Sequence, residues 1–239
     1  MALEVSGKIF LHDQHGLTQS ATHRQLKVFN GGSFQVSFRK PFGPLTRLDE
    51  ETLAGQTIRH FDVTAGTATL LLPVAGPLIW RVGSEGISQL LISGNLLFLQ
   101  HSEDSVLEIK NPYSEVETLI NFIHISFQIN LKPEMPSLES SIIPFVLEAG
   151  KPMTLIQLAD TGCRFGIGKL AGKQSEDYFM TNREHAVMIY SLQGAFDIEG
   201  RLLHPSDALM LWDLPSADIE ALSNNAICFT LEFPYKHDT

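Results

Sequence analysis

Few residues in this 239-residue chain stand in a pattern that could do covalent chemistry. Cys163 sits in Gly162-Cys-Arg-Phe-Gly-Ile-Gly168 and has His185 only as a distant partner for activation, so a thiolate nucleophile has little support and a structural cysteine is the expectation. The same segment has three glycines, but no helix pattern follows and no Lys-Ser/Thr closes it, so it reads as a β loop and not as a phosphate loop. No Gly-x-Ser-x-Gly elbow occurs. Histidines 12, 15, 23, 124, 204 and 237 show no mutual spacing that assembles a site.

Any site must be carried by strands. Short apolar runs, many of them alternating, are separated by Gly, Pro, Asn, Asp and Ser, and helical periodicity is nearly absent. In Ala226 to Phe233, Ile227, Phe229, Leu231 and Phe233 face one way and Cys228, Thr230 and Glu232 the other, as a half-buried strand requires. Leu119 to Ile129 alternates likewise, with His124, Ser126 and Gln128 on the more polar side. The pattern is also repeated. Gly94-Asn-Leu-Leu-Phe-Leu99 matches Ser206-Asp-Ala-Leu-Met-Leu211, and Ser105 to Ile109 then corresponds to Ala217 to Ala221 without a gap. Each half opens with a strand running into a glycine turn, at Gly76 and Gly194, and closes in a long alternating strand. Two copies of one β unit are therefore expected. Residues 1–135 would form the first and 136–239 the second, with a linker through Lys132-Pro-Glu-Met-Pro136 and Ser137 to Ser141, and with Ile9 to Phe42 adding edge strands to the first.

Composition narrows the partners. With 17 Lys plus Arg against 27 Asp plus Glu the formal charge is −10, a mean field that repels phosphate backbones and anionic membranes, so no direct nucleic-acid or membrane binding is expected. The basic group Arg24, Lys27, Arg39, Lys40 and Arg47 lacks interleaved aromatic platforms and reads as solvated surface. Two cysteines provide no disulfide framework, and the apolar stretch Ala68 to Trp80 is broken by Pro73, Gly76 and Pro77. A reducing, cytoplasmic compartment is expected, without a signal peptide or membrane span.

Phe42-Gly-Pro-Leu-Thr-Arg-Leu-Asp-Glu-Glu-Thr-Leu-Ala-Gly55, followed by a His-x-acid segment and then Thr69-Leu-Leu-Leu, resembles the N-terminal cupin of pirin-related proteins. Asn111-Pro112, the strand around Phe122 to Phe127, and Ser191 to Gly200 through Leu231-Glu-Phe-Pro234 extend the resemblance over most of the chain. It implies an all-β fold of two tandem cupin barrels, of the double-stranded β-helix or jelly-roll type. It also implies a family metal site in the first barrel, made from a His-x-His pair and a later His-x-Glu, which would hold iron or another divalent ion.

At these positions the chain departs from the family. Aligned through Gly55 and Leu70 to Leu72, the first pair becomes His60-Phe61-Asp62, in which one histidine is kept and a carboxylate replaces the other. Aligned through Gly94 and Asn111-Pro112, the second pair falls on Leu107 and Ile109, which cannot coordinate. A competing alignment places it on His101-Ser102-Glu103 and yields His60, Asp62, His101 and Glu103 as a two-histidine, two-carboxylate set. In the second barrel, Tyr178, His185 and Trp212 could point inward and line a small-molecule cavity, or serve as packing. The expectation is a pirin-like bicupin without a resident cofactor that binds a small molecule or a protein. The alternative is a metal-dependent, quercetinase-like dioxygenase using iron or another divalent ion on the His60 set.

Overall fold

The computed structural model describes residues 5–130, 134 and 136–236. Part of the expected linker, residues 132, 133 and 135, and His237 lie outside the described residues. The chain divides into two compact units, residues 16–145 and residues 1–15 with 146–239.

The chain opens with β1 (Ser6–Phe10), which belongs to the second unit. The first unit then builds β2 (Gly16–Gln19), β3 (His23–Lys27), β4 (Leu45–Leu53), β5 (Ile58–Val63), β6 (Thr67–Ala75) and β7 (Leu78–Val82). It continues with β8 (Gln89–Leu91), β9 (Asn95–His101), β10 (Ser105–Lys110), β11 (Ile120–Gln128) and β12 (Leu138–Pro144). These form a seven-stranded sheet, ordered β12-β9-β6-β11-β4-β3-β2, and a four-stranded sheet, ordered β5-β10-β7-β8. The second unit adds β13 (Thr154–Leu158), β14 (Cys163–Leu170), β15 (Ser175–Phe179), β16 (His185–Gln193) and β17 (Phe196–Ile198). It is completed by β18 (Arg201–Leu203), β19 (Ala208–Trp212), β20 (Ser216–Ala221) and β21 (Ala226–Pro234). Its sheets are β1-β19-β16-β21-β14-β13 and β15-β20-β17-β18.

The repetition expected from the sequence is this correspondence of strand orders. β9 and β19, β10 and β20, and β11 and β21 occupy matching places, and the small sheets match strand for strand. The glycine turns match as well. Gly76 has φ +74° and Gly194 φ +80°, a conformation that side-chain-bearing residues rarely adopt, and an added Cβ would lie 2.8 Å from Ile120 and 2.9 Å from Ala226, the first residues of β11 and β21. Gly55 answers a different need: its α-carbon faces the Glu115 carbonyl so closely that a Cβ would sit 2.0 Å from that oxygen.

The expected division at residue 135 requires correction at both ends. β1 pairs antiparallel with β19 of the second unit and buries Phe10, instead of extending the first barrel as β2 and β3 do. The stretch read as a linker contains β12, which pairs with β9 from Leu138↔His101 to Pro144↔Asn95. β12 and β1 hold equivalent edge places beside β9 and β19, so each large sheet is finished by a strand taken from outside the contiguous repeat. β12 is mostly exposed and carries Ser140-Ser141, which is why it lacks the apolar signature of a strand. β21 also differs from the half-buried expectation, because all of Cys228 to Phe233 are buried.

Between the two sheets of the first unit lies a core of Leu53, Phe61, Leu71, Trp80, Leu97, Leu99, Leu107, Ile109, Ile120 and Phe122. The second unit packs Tyr178, Val187, Ile189, Phe196, Leu209, Leu211, Ile219 and Cys228 in the same way. Among the described residues no helix is long and apolar enough to cross a membrane.

Candidate functional site

Side chains alternate across a strand, so the core residues of each strand identify which of its neighbours face the barrel interior. On β5 the core residues are Phe61 and Val63, and Ile58, His60 and Asp62 are exposed. The pairing Leu107↔Phe61 and Ile109↔Arg59 carries the same register into β10, where Leu107 and Ile109 face in and Glu108 faces out. His60 therefore lies on the outer surface with its side chain 59% exposed, and its Nε2 is 3.1 Å from Glu108 Oε2. Arg81 Nη2 donates to the same oxygen at 2.6 Å, and Glu108 is held below its usual carboxylate range chiefly by that hydrogen bond.

The proposed metal ligands are thus not brought together. His60 and Asp62 face outward, Glu103 is exposed in the turn after β9, and His101 is fully buried. These four do not fit a shared divalent ion, since a ligand set must converge on one point, and the exposed His60 and Asp62 face away from the interior in which His101 is buried. Among the described residues no group of three or more His, Cys, Asp or Glu stands close enough to hold a metal ion. The inward positions that β5 and β10 present instead are Arg59 and the apolar Phe61, Leu107 and Ile109, none of which is a usual metal ligand.

Polar chemistry in the first barrel lies on the facing sheet. Leu53 belongs to the core, so Glu51, Asp49 and Arg47, at successive two-residue steps on β4, face the same way. β3 sets His23, Gln25 and Lys27 opposite Leu53, Glu51 and Asp49, and β11 sets Phe122 and His124 opposite Glu51 and Asp49. The result is a connected polar wall. His23 Nε2 donates to Glu51 Oε2 at 2.7 Å, while Glu51 Oε1 is buried without a hydrogen-bond partner. Gln25 Nε2 donates to Asp49 Oδ2 at 2.9 Å, and Arg47 Nε lies 3.7 Å from the same oxygen.

Arg47 Nη1 donates to His124 Nδ1 at 3.3 Å, which fixes that nitrogen as an acceptor and makes Nε2–H the donor to Ser126 Oγ at 3.4 Å. The imidazole is accordingly neutral: burial, with the charge of Arg47 beside it, holds its pKa well below the ordinary value. Phe61 closes over this wall, edge-on to His124 at 4.6 Å between ring centroids and under the Arg47 guanidinium at 5.4 Å. His101, buried with neither ring nitrogen hydrogen-bonded, is lowered to about 4 by its desolvation.

Asp49 moves the other way. Burial raises its carboxyl from 3.8 to about 7, with Glu51 adding to the rise and Arg47, Gln25 and Lys27 opposing it. Its surroundings are not closed, because Asp49, Arg47, Gln25, Lys27 and Asn30 line a cleft of about 120 Å³. At the other end of the wall His23 lines a cavity of about 240 Å³ with Thr22, Arg24, Thr52 and Leu119.

In the second barrel two of the three residues expected at a pocket meet, around a residue that sequence reasoning passed over. Glu232 Oε2 accepts from Tyr178 at 3.0 Å and from Arg164 Nη2 at 2.7 Å, and Oε1 accepts from the Thr181 amide at 2.8 Å and lies 2.9 Å from His185 Nδ1. Burial alone would raise Glu232, but the Thr181 bonds, the Arg164 charge and the Tyr178 hydroxyl hold it below its ordinary value. Tyr178 is pushed to about 12 by its own burial and by Glu232. Both carboxylate oxygens are satisfied, so this hub ties β14, β15, β16 and β21 together. Trp212 is not part of it: Leu209 and Leu211 face the core, and Trp212 lies on the opposite face of β19 against Tyr235. Cys163 and Cys228 are buried free thiols raised to about 11 and about 12, chiefly by desolvation, which suits packing and not nucleophilic attack.

The polar wall of the first barrel had a sequence signal. His23-x-Gln25-x-Lys27 and Arg47-x-Asp49-x-Glu51 each set three polar residues at successive alternate positions, the first along β3 and the second in the middle of β4. That alternation is the same as for a strand facing solvent, so those residues read as surface until their pairing is known.

No family model matches the chain, and no curated protein matches it. Among solved structures it is similar to YhhW from Escherichia coli, at a TM-score of 0.84 and 15% identity over 98% of this chain and all of that one. A second structure of that protein, described as a bacterial pirin in complex with nickel(II), gives 0.83 at 13% identity over 97% of this chain and all of that one. Quercetin 2,3-dioxygenase from Acinetobacter baumannii gives 0.68 at 11% identity, over 96% of this chain and 79% of that one. Likeness at these identities establishes architecture, and together with the matched strand orders it gives this chain the two-barrel fold of the pirin-type bicupins.

Proposed function

We propose that the protein binds a small polar molecule in its first barrel, at the cleft where Gln25, Lys27, Arg47 and Asp49 meet, and that metal ligation by the His60 set plays no part. One observation carries this reading: a hydrogen-bonded, mixed-charge wall is buried inside the barrel and opens on a cleft. Apolar side chains of similar volume would serve stability as well or better, so charges retained in such a place point to recognition. The mouth of a small barrel is also where small-molecule sites concentrate.

A metal-dependent dioxygenase is the second reading, favoured by the nickel-bound pirin and the quercetin dioxygenase among the similar structures. It would require β5 to slip by one residue against β10, which would turn His60 and Asp62 inward and drive Phe61 out of the core. A ligand-observed NMR screen with a library of small polar metabolites separates the two. Binding should be lost in Arg47→Met and kept in His60→Ala. Hits that survive Arg47→Met, or vanish in His60→Ala, contradict the proposal.

A further inference from the structure

Resting on that reading, we infer that the cleft takes a small carboxylate and that Asp49 enters the complex as the protonated acid, so that one proton is taken up with each ligand bound. The charges around the cleft give the reason. Lys27 stands opposite Asp49 on β3, with its Nζ donating to the Gly31 carbonyl at 3.1 Å, and Arg47 lies two residues away on β4. A guanidinium presents a planar fork that matches a carboxylate.

While Asp49 is ionised, it is itself the counter-ion of these two cations, and a second carboxylate beside it would meet like charge in a poorly solvated place. Protonation removes that conflict. It leaves Lys27 and Arg47 uncompensated for the ligand and makes the Asp49 hydroxyl a donor to the ligand's oxygen, among the stronger hydrogen bonds a protein can form.

The groups facing Asp49 permit this exchange. From β4 come Arg47 and Glu51, the latter paired with His23; from β3 come Gln25 and Lys27; from β11 comes His124, neutral and accepting from Arg47. Beyond them Phe61 of β5 packs on His124 and Arg47, and its ring carries Arg59 at 5.5 Å. Glu51 does not substitute for Asp49, since it is fully buried and does not line the cleft. Burial already raises the Asp49 carboxyl to about 7, so the proton is available near neutrality.

The test is calorimetric titration of the full chain with acetate, in buffers of different ionisation enthalpy, with sulfate as a non-titrating anion. Above pH about 7 acetate affinity should fall by up to about tenfold per pH unit, with close to one proton taken up per acetate, and below about 6 both effects should vanish. Asp49→Asn should bind acetate with no proton uptake and a flat pH profile, and Lys27→Met and Arg47→Met should each weaken binding at every pH.

A flat pH profile in the wild type overturns the inference. So does sulfate binding as tightly as acetate, which would mark a general anion seat. If acetate gives no binding in wild type or Asp49→Asn while neutral molecules from the screen still depend on Arg47, the inference falls and the small-molecule reading stands. If those hits are independent of Arg47 as well, both fall.

Discussion

Asp49 and Glu232 are buried carboxylates in equivalent halves of a repeated fold, and their neighbours drive them apart. Glu232 receives hydrogen bonds on both oxygens and the charge of Arg164, which outweighs desolvation. Its pairing contributes stability above the unfolded carboxylate pKa, and that contribution is lost as pH falls through the depressed folded value. Asp49 has one amide donor and a guanidinium at 3.7 Å, too little to offset its burial. Here the folded protein holds the proton more tightly than the unfolded chain. The stabilisation is complete below pH about 4 and declines as pH rises toward about 7. Asp49→Asn removes this dependence while keeping an acceptor for Gln25. It is expected to match the wild type in urea denaturation near pH 4 and to exceed it by on the order of 4 kcal/mol near pH 8. Parallel stability at both pH values would mean that Asp49 is not buried as an acid.

At the scale of the element, the chemistry turns on the face that β5 shows to the core. Arg59-Phe61-Val63 and Ile58-His60-Asp62 are interleaved, each with polar and apolar members, so the sequence alone does not decide between them. Pairing with β10 decides it, because Leu107 and Ile109 have no polar alternative and pull Phe61 and Arg59 to their side. Truncating Phe61 to alanine should therefore cost about 3 kcal/mol, whereas His60→Ala should stay within about 0.5 kcal/mol, as chemical denaturation would show. The reverse ranking would put His60 inside.

The strong elements were legible beforehand for the same kind of reason. β9, β11, β19 and β21 carry long apolar runs, and Gly76 and Gly194 mark turns that no other residue fits easily. β12 and β1 were not, since an edge strand needs little apolar character and its partner lies far away in sequence. The polar wall was hidden because inward-facing polar strands carry the alternation of solvent-facing ones. Glu232 was hidden because it stood at the polar position of a strand whose two faces are both buried.

At the scale of the molecule, two barrels of one design have taken different interiors. The second closes its buried charge into a satisfied hub, and the first leaves a mixed-charge wall beside open volume. A net charge of −10 sets the surrounding field against anions, so a carboxylate ligand would depend on the local cations Lys27 and Arg47 and on the proton at Asp49. The resemblance to pirin-related proteins led to the fold and to a metal set at His60, Asp62, His101 and Glu103, and the fold turns His60 and Asp62 outward, leaves Glu103 exposed in a turn and buries His101. The most direct test of that central claim is elemental analysis of the purified protein and of His60→Ala after exposure to iron(II), nickel and zinc. The predicted result is the same metal content in both proteins. Near-stoichiometric metal in the wild type that is lost in His60→Ala would contradict the account and return the first barrel to metal chemistry.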